Sequence, residues 1–350
     1  MSVKFYFYSF ILVFSIKLGL SVFFTFYSPD FFGGGNDSNY YDDYAVGLTD
    51  RATTVWPQIL RLFNDVGLYS RDGVSHVLKF LGFIVIPLLV AKLTYVKGSC
   101  IRNRIFWAAV VAMSVYPTLT YYTLDIYRDV FMVFLWVLGL FVFKVLSQKP
   151  GFLKGLLFFI VGLLMAYVLF KFRPYLGFAY LVALVFSAFY SFCRYPFFLS
   201  LLGMVGTLFA LFLGGFLEPI FMYRAIFSEG MAGGSNIGLA FSSVTGFFPD
   251  LVLSVVYQLF GLFFVNISSV IVFILESLPF IAFFYYVIKN RRFSTKFVDY
   301  LIVFFVAYTV IWLLGNDNLG TAVRLRMFSY ISIFIAFCII YQNKKIVLLN

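Results

Sequence analysis

Apolar runs long enough to cross a bilayer follow one another along most of the chain, separated by short polar connections. Ten of them read as spans, at approximately 5–26, 77–96, 105–124, 130–148, 153–171, 177–193, 197–217, 267–288, 298–315 and 327–343. A spanning helix needs roughly 20 apolar residues and satisfies its own backbone hydrogen bonds, which lipid cannot do for it. The first run carries no small-residue cleavage site and is followed by further spans, so it reads as the first span and not as a removed leader. Two shorter segments depart from the pattern. In 53–63, TTVWPQILRLF, Trp56, Ile59, Leu60 and Phe63 recur at i, i+3, i+4 and i+7, one apolar face of a helix. Pro57 suits its first turn, with Thr53 or Thr54 as the cap. Such a helix either lies on the membrane surface or packs on the bundle. Segment 251–264 is apolar but short, which fits a re-entrant or interfacial helix. The expected fold class is all-α: a polytopic integral membrane helical bundle of about ten transmembrane helices, forming one transmembrane domain over 1–350.

Composition points the same way. Of the 350 residues 63% are hydrophobic and 12% charged, and the mean hydropathy is +0.97. Soluble domains carry roughly 25% charged residues. The 50 Phe and 25 Tyr suit lipid-facing surfaces and interfacial belts. A formal charge of +11 would suit nucleic acid if it formed one patch, but it does not. The basic residues fall instead into short loops: Lys97, Arg102 and Arg104; Lys149 and Lys154; Arg194; Lys289, Arg291, Arg292 and Lys296; Lys344 and Lys345. Asp299 is the one acid at their boundary. Lys and Arg in short loops mark the cytoplasmic side, so both termini are expected inside. The outer segments are then the long loops 27–76 and 218–250 and the short ones 125–129, 172–176 and 316–326. Cys100, Cys193 and Cys338 all avoid the outer segments, so no disulfide framework is expected. His76 is the only histidine, which argues against a histidine-built metal site.

The outer segments hold most of the candidate chemistry. The first opens with FFGGGNDSNYYDDYA, where Gly33, Gly34 and Gly35 permit tight backbone and Asp37, Asp42 and Asp43 alternate with Tyr40, Tyr41 and Tyr44. Carboxylates there can act as a general base or bind sugar hydroxyls, and the rings can stack on sugars. A solvated acidic loop is the plainer reading. Each remaining outer segment carries arginine: Arg128 between Asp125 and Asp129, Arg173 beside Pro174 and Tyr175, Arg224 near Glu229, and Arg324 with Arg326. Any one of them can simply snorkel, but a set kept outside runs against the positive-inside bias. The planar guanidinium suits phosphate and pyrophosphate, and converging arginines would stabilise such a leaving group. The glycine-rich 228–238, SEGMAGGSNIG, reads either as a lid over a substrate or as an ordinary loop. Glu276 and Lys17 lie within predicted spans, where charges are usually paired or functional, and are candidates to pair with each other.

Three strings together carry a resemblance. They are the acidic, Tyr-rich cluster (Asp37-Ser38-Asn39-Tyr40, or Asp42-Asp43-Tyr44-Ala45), Arg128-Asp129 after the third span, and Asn318-Leu319-Gly320-Thr321-Ala322-Val323-Arg324-Leu325-Arg326 before the last. In order and topology the whole chain resembles bacterial membrane proteins of surface-polysaccharide gene clusters: EpsG-like and Wzy-type oligosaccharide repeat-unit polymerases and, more distantly, GT-C glycosyltransferases. The N-x-G-T-A-x-R-x-R string is the most specific part. The resemblance implies an enzyme of the bacterial inner membrane with its active site facing the periplasm or exterior. It would transfer a growing glycan from undecaprenyl pyrophosphate to a hydroxyl of the next lipid-linked repeat unit, building O-antigen of lipopolysaccharide, capsule or exopolysaccharide. No cofactor is implied. Partners would be membrane lipids, the undecaprenyl-linked oligosaccharide, and a chain-length regulator and flippase of the same pathway. Carried over, Arg128, Arg173, Arg324 and Arg326 would hold the pyrophosphate, with Asp129, Arg224, Asn318 and Thr321 completing the binding set. One of Asp37, Asp42 and Asp43 would orient or deprotonate the acceptor hydroxyl. The chain lacks a His in its second long outer loop, which puts a His-dependent mechanism in doubt.

Two rival readings stay open. A transferase using an undecaprenyl-phosphate sugar to decorate a glycan needs the same acids and arginines. A lipid-glycan transporter or flippase would place polar groups near the bilayer midplane, often with internal repeats. Here they gather at one face.

Overall fold

The computed structural model describes residues 2–27, 36–190, 197–218, 220–222, 224, 236–239, 241 and 243–349. Gly33 to Gly35, Cys193, Arg194, Glu229 and the part 228–235 of the glycine-rich loop lie outside these residues. The chain is all-helical. In order it forms α1 (Val3–Tyr27), α2 (Asn36–Ala45), α3 (Val55–Asp65), α4 (Arg71–Leu93), α5 (Arg102–Ser114), α6 (Pro117–Tyr122) and α7 (Arg128–Ser147). Then come α8 (Phe152–Phe172), α9 (Pro174–Ala188), α10 (Phe197–Leu213), α11 (Phe247–Leu259), α12 (Ile267–Lys289), α13 (Lys296–Gly315) and α14 (Leu319–Leu349).

Among the described residues seven helices are long and apolar enough to cross a membrane: α1 (over Val3–Phe23), α4, α7, α8, α12, α13 and α14. The chain is thus a helical membrane protein. The other three expected spans take different forms. Segment 105–124 is split into α5 and α6 at Tyr116, which is extended because the ring of Pro117 disfavours helical backbone in the residue before it. The run expected at 177–193 forms the 15-residue α9, and that at 197–217 the 17-residue α10. Segment 251–264 forms the short α11, closed by Gly261 at φ +69°.

Proline also shapes the long helices. A π turn at Leu81–Val85 precedes Pro87 in α4, and one at Phe273–Ser277 precedes Pro279 in α12. Proline has no N–H for the carbonyl four residues back, and a wider turn accommodates the gap. The second π turn buries Glu276 and Ser277.

Packing groups the chain into two compact units: Met1–Gly177 with Cys338–Asn350, and Phe178–Phe337. In the first, α1 packs on α5, α4 on α5 and α7, α7 on α8, and α2 on α3. Trp136, Leu140 and Phe143 of α7 are fully buried. The C-terminal end of α4 is closed by Lys144, whose Nζ donates to the carbonyls of Lys92 and Leu93, both at 2.9 Å. A cation here satisfies carbonyls that have no intrahelical partner. Gln342 adds a bond to the Thr94 carbonyl at 2.8 Å. In the second unit α13 is the most enclosed helix, with Phe304, Tyr308 and Trp312 buried, and α10 and α11 pack on it.

The α8–α9 corner is set by two residues. Arg173 is extended, as the residue before Pro174 must be, so the helices break there. Gly177 lies so close to α8 that a Cβ would sit 2.3 Å from the Phe170 amide nitrogen and 2.6 Å from the Ala166 carbonyl oxygen. Backbone cannot yield as a flexible side chain would. Gly177→Ala is expected to cost at least the ~1–3 kcal/mol of an overpacked core site, read as a lower melting temperature in detergent; an unchanged melting temperature would contradict the contact.

Candidate functional site

In the first unit, α2 carries all three candidate acids, and they have different surroundings. Ser38, Tyr41 and Ala45 form its buried face. Asp42 accepts a 2.6 Å hydrogen bond from the Tyr69 hydroxyl and lies 3.4 Å from Arg71 Nη1. Arg71 is the hub: its Nε and Nη2 reach both oxygens of Asp125 at 3.1 and 2.7 Å, and Nη2 also reaches Asn39 at 3.0 Å. Burial alone would raise the Asp125 carboxyl, but the Arg71 guanidinium, the Ile126 amide and Ser38 outweigh it and hold it below the usual carboxylate range. Burial, and then the bond to Asp42, push the Tyr69 phenol well above its ordinary value. Asp42 is therefore committed to fastening α2 to the start of α4. Asp43 is half-buried, with no hydrogen bond to its carboxylate among the described residues.

Asp37 belongs to a second group. Burial pushes the Tyr41 phenol up to about 12; Asp129 and Asp37 add to the shift while Arg128 and Arg173 oppose it. All four charges thus lie within electrostatic reach of one buried phenol, which keeps its proton. Arg173 and Asp129 form a buried pair at 3.4 Å, and Asp129 sits in the first turn of α7, where a negative charge is favoured. Arg128, beside it, is half-buried. Asp37, Arg128 and Arg173 thus act on the same phenol, whereas Asp42 is held by Arg71. His76 lies apart, exposed, with Nδ1 2.6 Å from the Asp72 carbonyl of its own helix.

The second unit holds two further arginine sites, unlike each other. Arg224 is buried and makes four hydrogen bonds: Nε donates to the Leu239 carbonyl, Nη1 to those of Leu313 and Leu314, and Nη2 to Asp317. Burial lowers the guanidinium from its ordinary value, with Asp317 and Asp250 opposing. Asp317 also takes the amides of Gly238 and Leu239 at 3.1 and 3.3 Å, and Asn318 bonds Asn236 at 2.9 Å. Asn318 caps α14 by accepting from the Thr321 amide at 3.0 Å. Gln258 and Asn316 exchange side-chain and backbone bonds at 2.6 and 2.9 Å. Arg224, Asn318 and the Thr321 amide therefore brace the N-terminus of α14.

Arg326 lies at a cavity of about 260 Å³. Its walls are mostly apolar, from Tyr257, Phe263, Val265 and Val323, with Gln258 and the first-turn residues Leu319 and Gly320 of α14. Amides in a helix's first turn have no intrahelical acceptor. Glu276 Oε2 lies 3.9 Å from Arg326 Nη2, and the Tyr330 ring centroid 5.4 Å from its guanidinium carbon. The deep carboxylate Glu276 thus pairs with Arg326; the Lys17 ammonium stands over the Phe83 ring at 4.7 Å. Gly261 is packed against the guanidinium, a Cβ there meeting Arg326 Nη1 at 2.7 Å. Arg324, two residues away and so on the other side of α14, is half-buried and does not line the cavity.

Neither a scan against protein-family models nor searches of curated proteins and of solved structures finds a match to this chain. Among the described residues no group of three or more His, Cys, Asp or Glu gathers.

Arg71, Tyr69, Gln258 and Asp317 are not singled out by sequence pattern. The signals that point to them are weak: Arg71 opens a span, and Asp317 sits between two Asn residues before α14. Removing one partner of a buried ion pair typically costs ~3–5 kcal/mol. Arg224→Met and Asp317→Asn are each expected to destabilise by about that much, and the double variant by less than their sum. Strict additivity in denaturant unfolding would show that the two do not act as a pair.

Proposed function

We propose that this chain polymerises undecaprenyl-pyrophosphate-linked oligosaccharide repeat units at the face of a bacterial inner membrane that looks to the periplasm or exterior. The observation that carries the reading is the Arg326 cavity. Its apolar walls, one guanidinium and a helix N-terminus together suit an amphiphile with an anionic head. In the reaction, a hydroxyl of the acceptor repeat unit attacks the anomeric carbon of the donor glycan. The bond from that carbon to the pyrophosphate oxygen breaks, and undecaprenyl pyrophosphate leaves. Arg326 stabilises the charge left on it. The hydroxyl proton passes to a carboxylate base, for which the first unit offers Asp37, with Arg128 and Arg173 as its candidates to hold glycan or phosphate. Asp42 holds α2 in place, and Arg224, Asn318 and Thr321 hold α14. Arg324 is outside the cavity, so its part in binding is the less direct.

In a source strain carrying Arg326→Lys, which keeps the charge but loses the fork, the surface-glycan ladder is expected to collapse to single repeat units. Arg324→Lys is expected to shorten it less. Membrane levels of both variants, read by immunoblot, separate loss of activity from loss of protein. A full ladder in Arg326→Lys would refute the assignment. A ladder of normal length but altered mobility in a deletion strain would favour a decorating transferase, and absence of every repeat a flippase.

A further inference from the structure

Going round α3 at about 100° per residue, three faces follow in order. Trp56 and Leu60 are buried: the Trp56 indole N–H donates to the Ile126 carbonyl at 2.9 Å, and its ring lies 5.3 Å from that of Phe131. Next come Ile59, Leu62, Phe63 and Val66 at i, i+3, i+4 and i+7, with Leu62 64% and Val66 61% exposed. Gln58, Arg61 and Asp65 form the third, polar face. Leu68, just past the C-terminal end of α3, is a further exposed apolar side chain, 74% exposed. The face that shows apolar side chains is thus not the one turned to the bundle. None of these residues belongs to a membrane-crossing helix, so spanning does not account for them. Single exposed apolar residues are ordinary, but a contiguous group marks a contact surface.

Two placements show at what level this surface lies. The buried face of α3 rests on Ile126, just before α7, and on Phe131 in its first turn. Leu68 stands three residues before Arg71, where α4 begins, hence at most ~11 Å along an extended chain. Both α7 and α4 are spanning helices, so α3 sits at the level where spans enter the bilayer. Between 46 and 68 the charges are Asp50, Arg51, Arg61 and Asp65, which cancel.

We propose that α3, with Leu68, is a monotopic wedge whose Ile59–Val66 face inserts into the headgroup–acyl boundary of the bilayer. The occupant of the apolar surface is lipid, and with no net charge on the segment the attachment needs no anionic lipid. Since α2 packs on α3, the wedge also sets the depth of the helix that carries Asp37. The proposal is independent of the reaction assigned above.

The test uses the full chain without its native cysteines, reconstituted in phosphatidylcholine vesicles. Leu62→Cys, Leu68→Cys and, as control on the polar side, Asn64→Cys each carry an environment-sensitive fluorophore. Labels at 62 and 68 are expected to emit at shorter wavelength and to be quenched by shallow spin-labelled lipid roughly twofold or more over Asn64, unchanged by high salt. Water-like emission at 62 and 68 would overturn the proposal. So would labels shielded from water yet unquenched by the lipid, which would put a protein on that face. Matched elution of each labelled protein with the parent excludes misfolding as the cause.

Discussion

A guanidinium or carboxylate wholly or partly withdrawn from water at the end of an apolar helix draws its partners from the protein. That constraint organises both units. Arg71 ties α2, the start of α4 and the α6–α7 link into one piece through Asp42, Asn39 and Asp125. Arg224 does the same for the residues before α14, through three carbonyls and Asp317. A buried ion pair is weak evidence for net stability, but it leaves few alternative arrangements, because breaking it strands a charge. The candidate chemistry is positioned by these two arginines.

The same constraint sorts the arginines by role. Arg224 spends its donors inside the protein. Arg326 lies 3.9 Å from the Glu276 carboxylate and beside the Tyr330 ring, and it lines a cavity. A guanidinium that lines a cavity can meet an anion bound there; one enclosed among backbone carbonyls cannot. The carboxylates also differ, Asp42 bound into the Arg71 network and Asp37 within electrostatic reach of the buried Tyr41 phenol.

Much of the fold is legible in the sequence, because hydropathy is a local property. The seven long helices coincide with expected spans and the break at Pro174 with an expected loop, whereas the break at Pro117 divides a segment that reads as one span. What escapes is pairing across sequence distance. Arg71 and Asp125 are joined by no local pattern, nor are Glu276 and Arg326. On α3 the periodicity correctly marks an apolar stripe at Trp56, Ile59, Leu60 and Phe63. It cannot say that the bundle takes only Trp56 and Leu60, leaving the neighbouring stripe outward. The N-x-G-T-A-x-R-x-R string reads as one motif, yet on a helix its two arginines point to opposite sides, and only Arg326 reaches the cavity.

The central claim is that the Arg326 cavity takes the anionic head of a polyprenyl lipid. It is tested most directly by thermal unfolding of the purified protein in detergent with undecaprenyl phosphate or with undecaprenol. A ligand bound only by the folded state raises the melting temperature with its concentration. The phosphate is predicted to raise it and the alcohol to do so far less, with most of the difference lost in Arg326→Lys. Equal stabilisation by phosphate and alcohol, or an undiminished difference in Arg326→Lys, would contradict the account.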